Sequence, residues 1–285
     1  MKLIKNFILL FAAILVFEFT FTKDANANDQ CTKTGDVLDV MSDWCETEPD
    51  EYEIVIYNLY LCTRSPAIPT TTSTVNLDSG GCVEIFNNSS GATASVTQGS
   101  ELNLSGTYTR PPNDIYTHGY AIMDNTFGIT ASLEFAGNMT GETGGTGIYC
   151  GTVAGSGTSG TSSETTNTSV CSSSPVTAGK FVETLADFGG DEGEFAATGS
   201  VSNINGTSAS IMGILVNTSG QLSAVDSDVD KLHGLITFAN PATFTDAVTE
   251  VTMSFNVGSG MGMYVGEGGT LNMGSGPFQA IITTN

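Results

Sequence analysis

Apolar and polar residues alternate with a period of two along much of the chain. The clearest run is Phe127, Ile129, Ala131, Leu133 and Phe135, interleaved with Gly128, Thr130, Ser132 and Glu134. A second is Val251, Met253, Phe255 and Val257, separated by Thr252, Ser254 and Asn256. Successive side chains of a strand point to opposite faces, so each run sets one row in a core and the other in water. Residues 52–61 predict a longer strand, apolar on both faces and therefore central. Shorter strands are expected at 83–86, 119–123, 195–200, 209–216, 235–238, 264–265 and 278–283, with Gly, Asn and Asp marking the turns. Helical periodicity is confined to 180–188, read as a short helix stopped by Gly189-Gly190. The fold expected is all-β, an antiparallel β-sandwich of one large or two small β domains.

The start of the chain breaks this pattern. Lys2 and Lys5 precede an apolar run at 7–17, and Ala25-Asn26-Ala27 follows. These are the parts of a secretory signal peptide, with cleavage expected after Ala27. The run is shorter than the roughly 20 residues of a spanning helix, and no later segment reaches that length. Asn28-Asp29-Gln30 before Cys31 lacks the small apolar run of a lipid-anchor site. The reading is an exported chain without a membrane span: periplasmic, cell-surface or extracellular. Its expected organisation is a signal peptide at 1–27, an N-terminal β region at 28–140, a Gly/Ser/Thr-rich loop or linker at 141–180, and a C-terminal β region at 181–285.

Charge narrows the partners. The 285 residues hold 8 Lys+Arg and 30 Asp+Glu, a net charge of −22. Without residues 1–27, which contain Lys2, Lys5, Lys23, Glu18 and Asp24, the chain has 5 basic and 28 acidic side chains and a net charge of −23. Lys33, Arg64, Arg110, Lys180 and Lys231 are scattered, so no basic patch exists for nucleic acid or anionic lipid. Charged residues make up 13% of the chain, about half the usual share. Thr, Ser, Asn and Gly take their place, and β-branched Thr suits the wet face of a strand.

All six cysteines follow the expected cleavage site. An even count in an exported chain reads as a disulfide framework. Nearest-neighbour pairing is expected: Cys31 with Cys45, Cys62 with Cys82, and Cys150 with Cys171. The segments between the second and third pairs are polar and cannot hold themselves in place. Closing a loop of about 15–20 residues stabilises by about 3 kcal/mol in the chain-entropy model. No C-x-x-C pair and no nearby histidine supports zinc instead.

Few residues suggest chemistry. Asp226, Asp228 and Asp230 alternate in one acidic stretch and are the candidate cation ligands, for Ca²⁺, which takes 6–8 oxygens. Lys231 and Thr237 stand where an EF-hand has its turn glycine and bidentate glutamate, so a solvated acidic loop is the plainer reading. Asp191, Glu192 and Glu194 form a second acidic loop, and Glu46 to Glu53 supply entry charge before the first strong strand. Gly155, Gly157 and Gly160 match G-x-G-x-x-G, but without a strand before and a helix after them the match carries no nucleotide. Met261, Met263 and Met273 offer thioethers for Cu(I), or, more simply, fill a core. His118 and His233 lie in neither a zinc-protease motif nor beside a G-x-S-x-G elbow. No catalytic residue is assigned. Sequons at Asn87, Asn88, Asn103, Asn138, Asn167, Asn205 and Asn217 arise from composition in a Thr/Ser/Asn-rich chain.

Pro49-Asp50-Glu51-Tyr52 leads into a strand that ends in Leu61-Cys62-Thr63, followed by Gly106-Thr107-Tyr108-Thr109 and by 117–126. Together these segments resemble uncharacterised exported proteins of marine bacterioplankton, over about the first third of the chain after residue 27. Pro111-Pro112-Asn113-Asp114 departs from that pattern. The resemblance implies export and a β fold and brings no activity with it. The function expected is a secreted or cell-surface, non-enzymatic structural or adhesive β protein, through self-assembly or a surface glycan or protein partner. A calcium- or glycan-binding extracellular module is the alternative, and a secreted hydrolase the next.

Overall fold

The computed structural model describes residues 30–42, 44–97, 104–159, 169–188, 194–202, 208–248, 251–266 and 268–284. The expected signal peptide at 1–27 lies outside them, as do Asp191, Glu192, Gly160 and the sequons at Asn103, Asn167 and Asn205.

The described residues form nineteen strands. They are β1 (Lys33–Thr34), β2 (Val37–Leu38), β3 (Cys45–Thr47), β4 (Glu51–Cys62), β5 (Cys82–Val96), β6 (Thr107–Tyr108), β7 (Ile115–Thr130), β8 (Ser132–Gly141), β9 (Thr146–Thr152) and β10 (Gly155–Ser159). The rest are β11 (Ser169–Ser172), β12 (Phe181–Leu185), β13 (Ala196–Ser202), β14 (Ser208–Val216), β15 (Lys231–Thr243), β16 (Val251–Asn256), β17 (Met261–Val265), β18 (Thr270–Ser275) and β19 (Gln279–Thr284). Two single turns of 3-10 helix, Asp78–Gly80 and Asp226–Asp228, are the only helical residues described. No helix of the described residues is long and apolar enough to cross a membrane.

The strands make two large sheets and a pair, β16 with β19. The first sheet runs β1-β2-β8-β18-β17-β3, with β9 and β11 beside β8. The second runs β13-β14-β15-β7-β4-β5-β6, with β12 and β10 extending from the far end of β7. The fold is all-β, as the alternation predicts, and mostly antiparallel; the described parallel pairings are β10 with β12, β18 with β8 and β2 with β8. Each large sheet draws strands from both sides of residues 141–180. That segment itself contributes β9, β10 and β11 to the sheets.

Inward-facing rows of the two sheets meet in the main core. Tyr52, Ile54 and Ile56 of β4 and Met123, Phe127 and Ile129 of β7 face Phe135, Met139, Met261, Met263, Leu271 and Met273 of the first sheet. The three methionines weighed as copper ligands are thus core residues, each at most 1% exposed. Unbranched side chains of this kind fill irregular gaps in a core. Among the wholly buried rings, Tyr52 packs against Phe127 and Phe278 at 5.7 and 5.5 Å between centroids.

Two expectations need correction. The alternating run at 127–135 is not one strand: it leaves one sheet as β7 and enters the other as β8, turning at the buried Ala131. Corners of this kind let a chain switch sheets without losing its alternation. Thr152 fixes the corner, since its N–H donates to the Ala131 carbonyl and its hydroxyl accepts from the Ala131 N–H. The expected helix at 180–188 is instead strand β12, antiparallel to β7 and parallel to β10. Phe181 and Glu183 point inward while Val182 and Thr184 are half-buried. Helix propensity is a weak preference, and the free ladder positions of β7 override it.

The disulfides are Cys31–Cys45, Cys62–Cys82 and Cys150–Cys171, with no free cysteine. Cys62 and Cys82 face each other directly across β4 and β5, and Cys150 and Cys171 across β9 and β11.

Candidate functional site

The second sheet is apolar on its outer face as well. Tyr60 and Cys62 of β4, Tyr120 and Ile122 of β7, Met212 of β14 and Leu235 of β15 form a satellite cluster there. Their chain neighbours Leu59, Ala121 and Met123 belong to the main core, as the strand period requires. The cover over this face is the loop at 63–81, which contributes Ile68, Val75 and Leu77 to the cluster.

That loop is closed at its neck by Cys62–Cys82. Within it, the Asn76 N–H donates to the Ala67 carbonyl at 2.9 Å, and the Arg64 N–H to the Gly80 carbonyl at 3.2 Å. Ser79 ties three segments together: its N–H donates to Asn76 Oδ1 at 3.0 Å, and its hydroxyl donates to the Asn76 carbonyl at 2.6 Å while accepting from the Ala67 N–H at 2.8 Å. A turn from the far side clips the tip, through a Thr74–Gln221 bridge and a Leu222 N–H donated to the Thr70 carbonyl at 3.0 Å. Glycine is required at the neck. A Cβ on Gly80 would lie 2.8 Å from Cys82 Sγ and 2.9 Å from Pro66 Cα, and Gly81 has φ +57°.

The outer surface of the loop holds an open cleft of about 760 Å³. Thr74, Val75, Asn76, Leu77 and Asp78 alternate along it. Val75 and Leu77 are half-buried toward the satellite cluster, whereas Thr74, Asn76 and Asp78 are exposed. Thr72, Ser73 and, from the opposite turn, Gln221 complete the polar lining, and Ala67 and Ile68 add apolar wall. Among the described residues, the Asn76 amide nitrogen, the Asp78 carboxylate and the Gln221 side chain hydrogen-bond to nothing in the protein.

Beneath the loop lies a buried polar pair. The Tyr120 hydroxyl and His233 Nδ1 are 2.8 Å apart, and their rings meet edge-on at 5.5 Å. Burial, with a smaller contribution from Lys231, lowers the His233 pKa to about 4, so the imidazole is neutral at ordinary pH. Burial also raises the Tyr120 phenol well above its usual range. Tyr60 is pushed up to about 12, by burial first and then by Glu84, whose carboxylate lies 3.2 Å from its hydroxyl. His118 is held below its usual pKa by burial, and its Nδ1 lies 2.8 Å from the Thr117 hydroxyl. Among the described residues neither imidazole is hydrogen-bonded to a carboxylate or a serine, and neither lines the cleft.

The other sequence candidates are dispersed. Asp226 and Asp228 lie in the second 3-10 turn, which buries no residue, and Asp230 pairs with Lys231 at 3.3 Å. No three His, Cys, Asp or Glu side chains of the described residues gather as a metal would need. Gly155–Ser159, the start of the glycine motif, is strand β10. Of the 46–53 cluster, Glu46 is buried and Glu53 binds Lys180 at 3.1 Å. The cleft escaped the sequence reading, although 74–78 carries the same period-two pattern that marks the strands.

The fold and its bonds define an all-β, disulfide-bonded protein with two large sheets. No family model, curated protein or solved structure matches the chain.

Proposed function

We propose that this chain is an exported, non-enzymatic structural or adhesive β protein acting at or beyond the cell surface. The observation that carries the reading is the loop at 63–81, a hydroxyl-rich outer surface held rigid from below and at its neck. A protein that holds its target needs an exposed surface whose ordering is complete before contact, because ordering on contact subtracts from affinity. Export is supported by the expected signal peptide and by six cysteines that are all paired, a state favoured in oxidising compartments. Strong net negative charge keeps such a surface free of non-specific association.

The test is a two-part assay of the purified chain lacking residues 1–27. One part is a broad panel of glycosidase, esterase and protease substrates. The other measures retention on immobilised polysaccharides and self-association by sedimentation. Saturable retention or self-association without turnover is the expected result; sustained turnover of any substrate overturns the reading.

A further inference from the structure

We infer that the cleft on the 63–81 loop is a binding site for a neutral saccharide, recognised by Asn76 and Asp78 on one wall and Gln221 on the other. The inference rests on the adhesive reading and names the chemistry of what is held. Three features of the cleft select the ligand class.

The first is the uncommitted polar groups. Asn76, Asp78 and Gln221 line one cleft and, apart from Asn76 Oδ1, have no hydrogen-bond partner among the described residues. Planar amides and carboxylates are the side chains that can pair with adjacent hydroxyls two at a time. Thr72, Ser73 and Thr74 add hydroxyls that donate and accept, and Ala67 and Ile68 offer aliphatic wall for the C–H face of a sugar ring.

The second is what the cleft cannot serve. Among the described residues Asp78 is the only acidic one in the lining, and Ca²⁺ needs 6–8 oxygens. No basic residue among those described lines it, and the chain carries −22, so an acidic polymer is repelled. A peptide adding itself as a strand needs free backbone groups. Here the backbones of Ala67, Thr70, Asn76 and Leu222 already bond to one another or across the clip, as 76 to 67 and 222 to 70.

The third is preorganisation. The wall at 74–78 is anchored by Val75 and Leu77, closed by Cys62–Cys82 and clipped at Thr74 and Gln221. The ligand therefore meets groups already in place, which is the condition for binding a flexible, strongly hydrated molecule at all.

The experiment titrates the chain lacking residues 1–27 calorimetrically with cellohexaose, laminarihexaose, mannohexaose and xylohexaose. A polygalacturonate oligomer serves as the acidic comparison. Saturable binding of at least one neutral hexaose is expected, with none for the acidic oligomer. Asp78→Asn and Gln221→Ala should each weaken that binding roughly tenfold, the effect of one lost hydrogen bond to ligand. Their melting temperatures should not change, since neither side chain has a hydrogen-bond partner among the described residues. Failure of all four neutral probes overturns the inference, as does binding that survives both substitutions. In the latter case the adhesive reading stands and only the cleft is excluded. Hydrolysis of a hexaose overturns both.

Discussion

His233 makes the stability of the second sheet depend on acidity, with a magnitude that follows from its surroundings. The imidazole sits on β15, hydrogen-bonded to Tyr120 and roofed by the loop at 63–81. Its pKa falls from 6.5 to about 4 on folding. Between those values the unfolded chain binds a proton that the folded chain refuses, so stability rises with pH across the window and is flat above it. Taking the pH from neutral down to 4 removes about 3 kcal/mol through this one group. Carboxylates also titrate in that range, so the measurement must be differential. His233→Gln keeps a polar group opposite Tyr120 and cannot titrate. Urea unfolding of both proteins at about pH 7.5 and about pH 4.5 isolates the histidine, because the other groups cancel. The variant should lose less stability than the parent on acidification, by about 2–3 kcal/mol. Equal losses would refute the argument and place the imidazole in contact with water.

Further outcomes follow from other parts of the fold. Replacing Cys62 and Cys82 by serine should cost about 3 kcal/mol for a sequence separation of 20 and, by freeing the backbone around the exposed Arg64, open it to trypsin, a cut that mass spectrometry can assign. Met263→Ala in the main core should cost about 2–5 kcal/mol in denaturant melts, since the site is fully enclosed. Lys180→Ala should cost less than about 1 kcal/mol, because its ion pair with Glu53 is partly exposed to water. Millimolar Ca²⁺ should leave the melting temperature unchanged in a thermal-shift series; a clear rise would mean that Asp226, Asp228 and Asp230 gather around the ion.

The strands were legible because a sheet face imposes its period locally. Residues 127–135 announced alternation, and Val83–Phe86 and Leu235–Phe238 announced apolar strands, without any knowledge of partners. The sheet switch at Ala131 was not legible, since alternation continues unbroken through a corner. Residues 180–188 were misread because a nine-residue apolar pattern fits either period, and only the vacant ladder beside β7 decides it. For β4, apolar residues on both faces imply a central strand, and it lies between β7 and β5 with cover on both faces. What that cover was stayed hidden. Ile68, Val75 and Leu77 are spread through Thr, Ser and Pro, and their grouping appears only when the loop folds back over Tyr60 and Tyr120. The cleft depends in addition on Gln221, about 140 residues away, and no local pattern brings it there.

The placement of the disulfides has a mechanical meaning. Pulled from its two ends, the chain would transmit tension through each bridge and leave the enclosed segment slack. The bridged cysteines are 14, 20 and 21 positions apart in sequence, and together the bridges withhold about 190 Å of extended chain. The loop at 63–81 lies wholly inside one of these shunts, so force could strip β4 from β5 as far as Cys62–Cys82 and no further. Its wall at 74–78 would bear no load even while the sheet that carries it was being drawn out, until a reductant cut the bridge.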